Sequence, residues 1–317
     1  MDFALNSRAV ALADAMANDA ALLRVAAIRL EGGTRVIDCG VGVEGGFEAG
    51  RRLAEVCLGG MASVAFTGVN VDGLSLPAVR VATDHPVAAC LAAQYAGWSV
   101  HREGYAAMGS GPARALAGEE ELFEKIGYSE SSDCGALVLE GPSLPGEGVA
   151  ALVAERCRID RGKLSLLVAP TASVAGSVQV AARSIETTLH KMLELGFDVT
   201  KVRGGVGVCP VAPVAKSDLH ALGWVNDCIL YGARAYLAVR ATDDEILSMV
   251  ERLPASASPD YGAPFVEIAG RYDFDLYKID RLLFSPAEVT INNLETGRVV
   301  RAGRVNADVL RASLGIG

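Results

Sequence analysis

The sequence predicts an α/β (α+β) protein made of two mixed alpha-beta domains, face to face, with the cleft between them as the candidate active site. Three observations lead there. Apolar runs of strand length alternate with amphipathic helical patterns along the whole chain. At 317 residues, 51% hydrophobic and 21% charged, the chain can fill two cores. The block from about 84 to 198 also reads as a self-contained α/β unit, and the segments on either side look like parts of one larger domain. The expected division is therefore a discontinuous α+β domain, residues 1–83 plus 199–317, with residues 84–198 inserted as an α/β domain. Two strands that lead into small-residue-rich helices, at PAVRVATDHP and LLVAPTAS, would face the domain junction, where ligand clefts are common.

Taken in order, MDFALNSRAVALADAM lacks a basic stretch ahead of a continuous apolar block. It reads as the start of an amphipathic helix over roughly Ser7 to Arg29 rather than as a signal peptide. TRVIDCGV is a strand, and GGFEAGRRLAEVCLGG is a helix that stops at Gly59-Gly60. MASVAFTGV and LPAVRVAT are rich in β-branched residues and read as strands. A helix PVAACLAAQYAGW, a strand SVHREGYAAM and a glycine loop follow. Next come a short helix ELFEKIGY, strand CGALVLE, helix GEGVAALVAERC and strand KLSLLVAP, which Pro170 ends. One long helix then carries Val174, Val178, Ile185, Leu189 and Met192 as an apolar stripe. Strands DVTKVRGGVGV and ARAYLAVR, helices around His220 and Ile246, and a hairpin AEVTINNLETGRVVRAGRV turning near Glu295-Thr296-Gly297 complete the chain.

Charge and cysteine usage narrow the function. A formal net charge of −9 argues against nucleic acid or an anionic membrane as the main partner, since both reward clustered Lys and Arg. No stretch is long and apolar enough to span a bilayer, so the cytoplasm is the expected compartment. The seven cysteines, Cys39, Cys57, Cys90, Cys134, Cys157, Cys209 and Cys228, show no metal spacing and mostly sit among apolar neighbours. With four histidines and no HExxH pattern, no metal site is expected, and no nucleotide loop is present.

Two stretches carry candidate chemistry. On the long helix, Thr171 or Ser173 can cap the first turn. Gln179, Arg183, Glu186 and His190 fall at i, i+4, i+7 and i+11, a polar line up one face. A helix N-terminus with a paired arginine and carboxylate further in would suit a charged substrate; spacing alone favours a solvent-facing stripe with one weak ion pair. In MGSGPARALA, Gly109, Ser110 and Gly111 allow a tight turn with outward N–H groups, and Arg114 adds a cation. That is either an anion cradle or a plain strand-to-helix turn. His85 in TDHP is either a cleft residue or part of a capped helix start, and Asn226-Asp227 either orient a polar ligand or satisfy backbone groups.

The run PTASVAGSVQVAARSIE resembles the methenyltetrahydromethanopterin cyclohydrolase family. So do VIDCGV at Val36, EAGRRLAEVCLGG at Glu48, TDHP at Thr83, QYAGW at Gln94, AMGSGPARALA at Ala107, NDCILYG at Asn226, DYGAPF at Asp260 and FSPAEV at Phe284, in family order. The resemblance implies reversible hydrolysis of 5,10-methenyl-tetrahydromethanopterin to 5-formyl-tetrahydromethanopterin in one-carbon metabolism, whether methanogenesis or formaldehyde oxidation. It implies a cytoplasmic homotrimer with no cofactor, the tetrahydromethanopterin derivative being the substrate carrier. Arg183 and Glu186 match the family's catalytic RxxE pair. Ser110, Gly111, Arg114, Thr171, Ser173, Gln179, His85, Tyr95 and Asn226 are the implied substrate-binding residues, with the anionic carrier tail expected at Pro112, Arg114 and Thr171. Several archaeal members read QKAGW where this chain has Tyr95, so that lysine's role does not carry over. A cyclohydrolase for another folate-like C1 carrier and a non-catalytic pterin-binding protein are the alternatives.

Overall fold

The computed structural model describes residues 3–316. The chain forms two compact units: residues up to Ser63 with Ala88–Gln179, and Val64–Val87 with Val180 onward. This differs from the expected insertion of residues 84–198, and strand pairing is the reason. The second strand of the chain pairs in parallel with Leu164–Ala169, which draws the N-terminal segment into the first unit. Leu74–Thr83 pairs with Val202–Pro210 and goes to the second.

In the first unit, strands β1 (Ala26–Arg29), β2 (Arg35–Asp38), β5 (Trp98–Arg102), β6 (Tyr105–Ser110), β7 (Gly135–Glu140) and β8 (Leu164–Ala169) form one sheet, ordered β1-β2-β8-β7-β6-β5. β2, β8 and β7 are mutually parallel, and the other pairs are antiparallel. β7 and β8 read as almost continuous apolar runs because both of their faces are covered. Ile37, Val138, Leu167 and Ala169 pack with helices α1 (Leu5–Asn18) and α3 (Phe47–Cys57). The alternate residues Val36, Leu137, Leu139, Leu166 and Val168 pack with α6 (Glu147–Cys157). The short helices α2 (Ala20–Leu23), α4 (Ala113–Ala117) and α5 (Glu121–Ile126) connect these layers.

The second unit is built on strands β3 (Ser63–Val71), β4 (Leu74–Thr83), β9 (Val202–Pro210), β10 (Arg234–Val239), β11 (Glu288–Asn293) and β12 (Val299–Gly303), ordered β12-β11-β10-β9-β4-β3. Only the β10–β11 pair among those described is parallel. These strands alternate buried and more exposed positions, as in Ala235, Leu237 and Val239 against Tyr236. Helix α8 (Ser184–Glu194) packs on β9 and β10 through Ile185, Leu189 and Met192, all fully buried. Its approach is close because β9 supplies glycines: a Cβ on Gly207 would sit 2.1 Å from Ser184 Oγ. Helices α9 (Asp218–Asp227), α10 (Asp243–Leu247), α11 (Phe265–Gly270) and α12 (Ala307–Leu314) complete this unit.

Three expected elements differ. The first helix does not run to Arg29, because Ala26–Arg29 pairs with Arg35–Asp38 as β1. SVHREGYAAM is a hairpin, not one strand: Glu103 (φ 53°) and Gly104 (φ 83°) make the turn with positive φ at both central residues. The long helix of Arg183 is two helices, α7 (Val174–Ala181) and α8, with Arg183 between them at φ −93°, ψ 5° and its N–H donating to Val180 O. The division between units falls inside α7, after Gln179. No helix among the described residues is long and apolar enough to cross a membrane.

Candidate active site

The turn from β8 into α7 settles which residue caps the helix. Ser173 Oγ accepts from the Gly176 N–H at 3.0 Å and donates to Pro170 O at 2.7 Å. The turn is so tight that a Cβ on Gly176 would lie 2.0 Å from that same carbonyl oxygen. Thr171 is thereby released from capping. Its hydroxyl donates to Glu140 Oε1 at 2.5 Å, and Gln179 Nε2 donates to Glu140 Oε2 at 3.0 Å. Two of the expected substrate-binding residues thus converge on a carboxylate at the end of β7 that the sequence reading did not single out. The sign was there: CGALVLE ends an otherwise apolar strand on an acid.

Arg183 and Glu186 stand at the entry to α8. Arg183 Nη1 lies 3.7 Å from Glu186 Oε2, an ion-pair distance longer than a hydrogen bond. Arg183 is 7% exposed and Glu186 4%, so the solvent-facing stripe is ruled out. The polar line up one helix is also corrected, since the break at Ala182–Arg183 takes Gln179 out of register with the pair. Thr187 Oγ1 donates to Arg183 O at 3.0 Å and Thr188 Oγ1 to Ser184 O at 2.7 Å, which ties down the first turn beneath the pair. A buried ion pair gains little net stability for its desolvation cost, so stability alone does not account for this one. The arrangement suits a carboxylate that accepts a proton beside a fixed positive charge.

The GSGPAR turn is not an anion cradle. Arg114 is 1% exposed, and its guanidinium forms a bidentate pair with Glu120: Nε to Oε1 at 2.8 Å and Nη2 to Oε2 at 2.6 Å. Its remaining nitrogen, Nη1, donates to Ala93 O at 3.1 Å and Leu91 O at 3.4 Å. The Tyr95 and Phe123 rings lie 5.2 Å and 5.4 Å from its centre. Gly111, at φ +109°, donates its N–H to Ala93 O, and Ser110 is buried with its hydroxyl 3.4 Å from Cys57 Sγ. These donors are spent inside the fold, so the expected hold of Arg114 on the carrier tail is withdrawn. They fasten the end of a π-helix, Val87–Gln94, a form that recurs at functional sites. Tyr95 packs on Arg114 here.

The other expected residues are more ordinary. His85 is exposed at the end of β4, with its N–H donated to Thr83 Oγ1 at 3.0 Å. Asn226 Nδ2 donates to Leu222 O of its own helix at 2.8 Å, which is the backbone-satisfying role. Its neighbour Asp227 accepts from the Phe265 N–H at 2.8 Å and from Ser313; burial raises its carboxyl to about 6 against the pull of those bonds. Lys191, on α8, is 1% exposed and donates to Pro254 O at 2.8 Å. Burial lowers its ammonium to about 8, with Asp280 opposing the shift and Arg252 adding to it. Asp38, at the end of β2, accepts from the N–H groups of Gly40, Val41 and Gly42 at 2.7–2.9 Å, so it shapes the glycine loop. No group of three or more His, Cys, Asp or Glu among the described residues could hold a metal ion.

A buried arginine–glutamate pair at a helix junction offers a carboxylate beside a fixed cation, groups of the kind that proton-transfer enzymes use. The comparisons with known proteins name the kind. The family model described as Cyclohydrolase (MCH) matches residues 4–314. Among curated relatives, the methenyltetrahydromethanopterin cyclohydrolase of Methanocaldococcus jannaschii is 44% identical over 316 residues, 98% of each chain. That of Methanococcoides burtonii is 40% identical over 314 residues, again 98% of each. That of Methanococcus vannielii is 46% identical over 300 residues, 92% of each. The chain belongs to the methenyltetrahydromethanopterin cyclohydrolase family.

Proposed function

We propose that this protein interconverts 5,10-methenyl-tetrahydromethanopterin and 5-formyl-tetrahydromethanopterin, with Glu186 as the general base and Arg183 as its charged partner. The observation that carries the reading is the burial of this pair at the start of α8, in a chain that aligns from end to end with named cyclohydrolases. The methenyl carbon sits between two nitrogens in a cationic amidinium and is already electrophilic. A water oxygen bonds to that carbon as Glu186 takes one of its protons. The hydroxyl of the tetrahedral adduct gives up its remaining proton as the carbonyl forms and the carbon–N10 bond breaks; one of the two water protons ends on N10, the other is released, and the formyl group stays on N5. Overall one water is consumed and one proton released. A placed water and a base at hydrogen-bond range are the main demands of such a step. Arg183 orients Glu186 and stabilises negative charge as it develops on the attacking oxygen.

The protein acts in the cytoplasm as a homotrimer, as the family resemblance implies. Thr171 and Gln179, joined on Glu140, contribute to carrier binding in place of Arg114. The test is a carrier panel followed by loss of the methenyl chromophore. Turnover of methenyl-tetrahydromethanopterin well above the tetrahydrofolate counterpart is expected. Preference for the folate carrier, or carrier binding without turnover, would overturn the reading in favour of the two alternatives.

A further inference from the structure

We infer that Glu140 recognises the pterin head of the carrier by accepting hydrogen bonds from its 2-amino group and its N3–H. The inference rests on the function proposed above and names a specificity residue for the same substrate. Glu140 ends β7, next to the end of parallel β8, and Asp38 ends parallel β2 on the far side of β8. The carboxyl ends of parallel strands are where α/β sheets commonly bind ligands.

The bonding of Glu140 points the same way. The two donors that reach it, the Thr171 hydroxyl and the Gln179 amide, are both neutral, one on each oxygen. A glutamine or asparagine could bracket the β8–α7 turn at less electrostatic cost. An ionised carboxylate has about four acceptor positions, so two remain after these bonds. Among the described residues no Lys, Arg or His nitrogen lies within 4 Å of it, although the side chain is only partly exposed. A half-buried anion without a cation favours a ligand that brings paired N–H donors or positive charge. The 2-amino-4-oxopyrimidine edge of a pterin has that donor pair, at a spacing that matches the two oxygens of a carboxylate. Gln179, 1% exposed, and Thr171 fix the plane of the carboxylate. A pre-oriented acceptor of this kind discriminates strongly against a ligand that lacks the donor.

The test uses the full-length protein and two probes, 6-methyl-tetrahydropterin and its 2-desamino analogue, titrated by calorimetry into wild type and Glu140→Gln. The glutamine keeps the size of the side chain but turns one acceptor into a donor. Wild type is expected to bind the 2-amino probe at least about 10-fold more tightly than the analogue, in line with a hydrogen bond to a charged group. In Glu140→Gln that ratio should collapse towards one, and the KM for the methenyl carrier should rise more than kcat falls. A purely structural bracket predicts a lowered melting temperature and an unchanged ratio, which would overturn the inference. Should Glu140→Gln fail to fold, wild type decides alone, because equal binding of the two probes excludes this contact. Methenyl turnover by the same wild-type preparation separates the two claims. Turnover with an unaltered probe ratio removes only the Glu140 assignment, whereas absence of turnover removes the function.

Discussion

Arg114→Ala should damage the fold of the first unit rather than carrier affinity. The guanidinium makes two bonds to Glu120 and two to backbone oxygens, and the Tyr95 and Phe123 rings lie 5.2 and 5.4 Å from it. Removing it leaves the Glu120 carboxylate unpaired and the oxygens of Leu91 and Ala93 without this donor. Breaking one side of a buried ion pair costs about 3–5 kcal/mol. Glu120 keeps 20% of its side chain exposed and regains some hydration, which places the loss towards the lower end of that range. For a unit of this size, about 3 kcal/mol lowers the melting temperature by roughly 6–12 °C. Arg114→Lys should recover only part of this, since an ammonium cannot make the bidentate fork. Thermal melts, with Glu120→Gln and the double variant to close the cycle, measure the coupling. An unchanged melting temperature, together with a KM raised only for a carrier that bears its phosphorylated tail, would refute the clamp and restore the anion cradle.

Gly207→Ala should cost about 1–3 kcal/mol of stability and lower kcat as well, because the added methyl meets Ser184 Oγ and pushes on the turn that holds Arg183 and Glu186. A melt and a rate measurement check it, and a variant with neither loss contradicts the close packing of α8 on β9. Lys191 gives a pH signature. Between about pH 8 and its ordinary 10.5 the unfolded chain holds the lysine proton and the folded chain does not, so this residue makes stability rise with pH in that window. The stability of wild type relative to Lys191→Met should therefore rise by about 2–3 kcal/mol from pH 8 to pH 10 in denaturant titrations, and a flat difference would contradict it.

What could be read from the sequence followed the reach of the interactions involved. β7 and β8 were legible because parallel strands covered on both faces must be apolar throughout. The hairpin of β11 and β12 was legible from its turn residues near Gly297. The break at Ala182–Arg183 was not, because no glycine or proline marks it and the apolar stripe continues through it. β1 was hidden because its four residues are strand only through pairing with β2, and helix α1 precedes it with a similar apolar content. At the site, Arg183 and Glu186 stood out by motif, and their burial alone distinguishes them from a surface pair. Arg114 misled because a cation beside glycines looks the same whether its partner is a ligand or Glu120, six residues on. Glu140 was missed because its partners Thr171 and Gln179 lie more than thirty residues away and meet it only through the β7–β8 pairing.

If Glu186 takes the proton of the attacking water, Glu186→Gln should abolish the chemistry and leave binding. The amide keeps the shape of the side chain at the start of α8 but cannot act as the base. The measurement is kcat for methenyl-tetrahydromethanopterin hydrolysis, with carrier affinity and a melt on the same samples. The kcat should fall about 10²–10⁴-fold with the carrier still bound and the fold intact. Arg183→Ala should also be severe, and the double variant little worse than the worse single one. A Glu186→Gln enzyme that turns over at a near-normal rate would remove Glu186 as the base and leave the buried pair a structural element only.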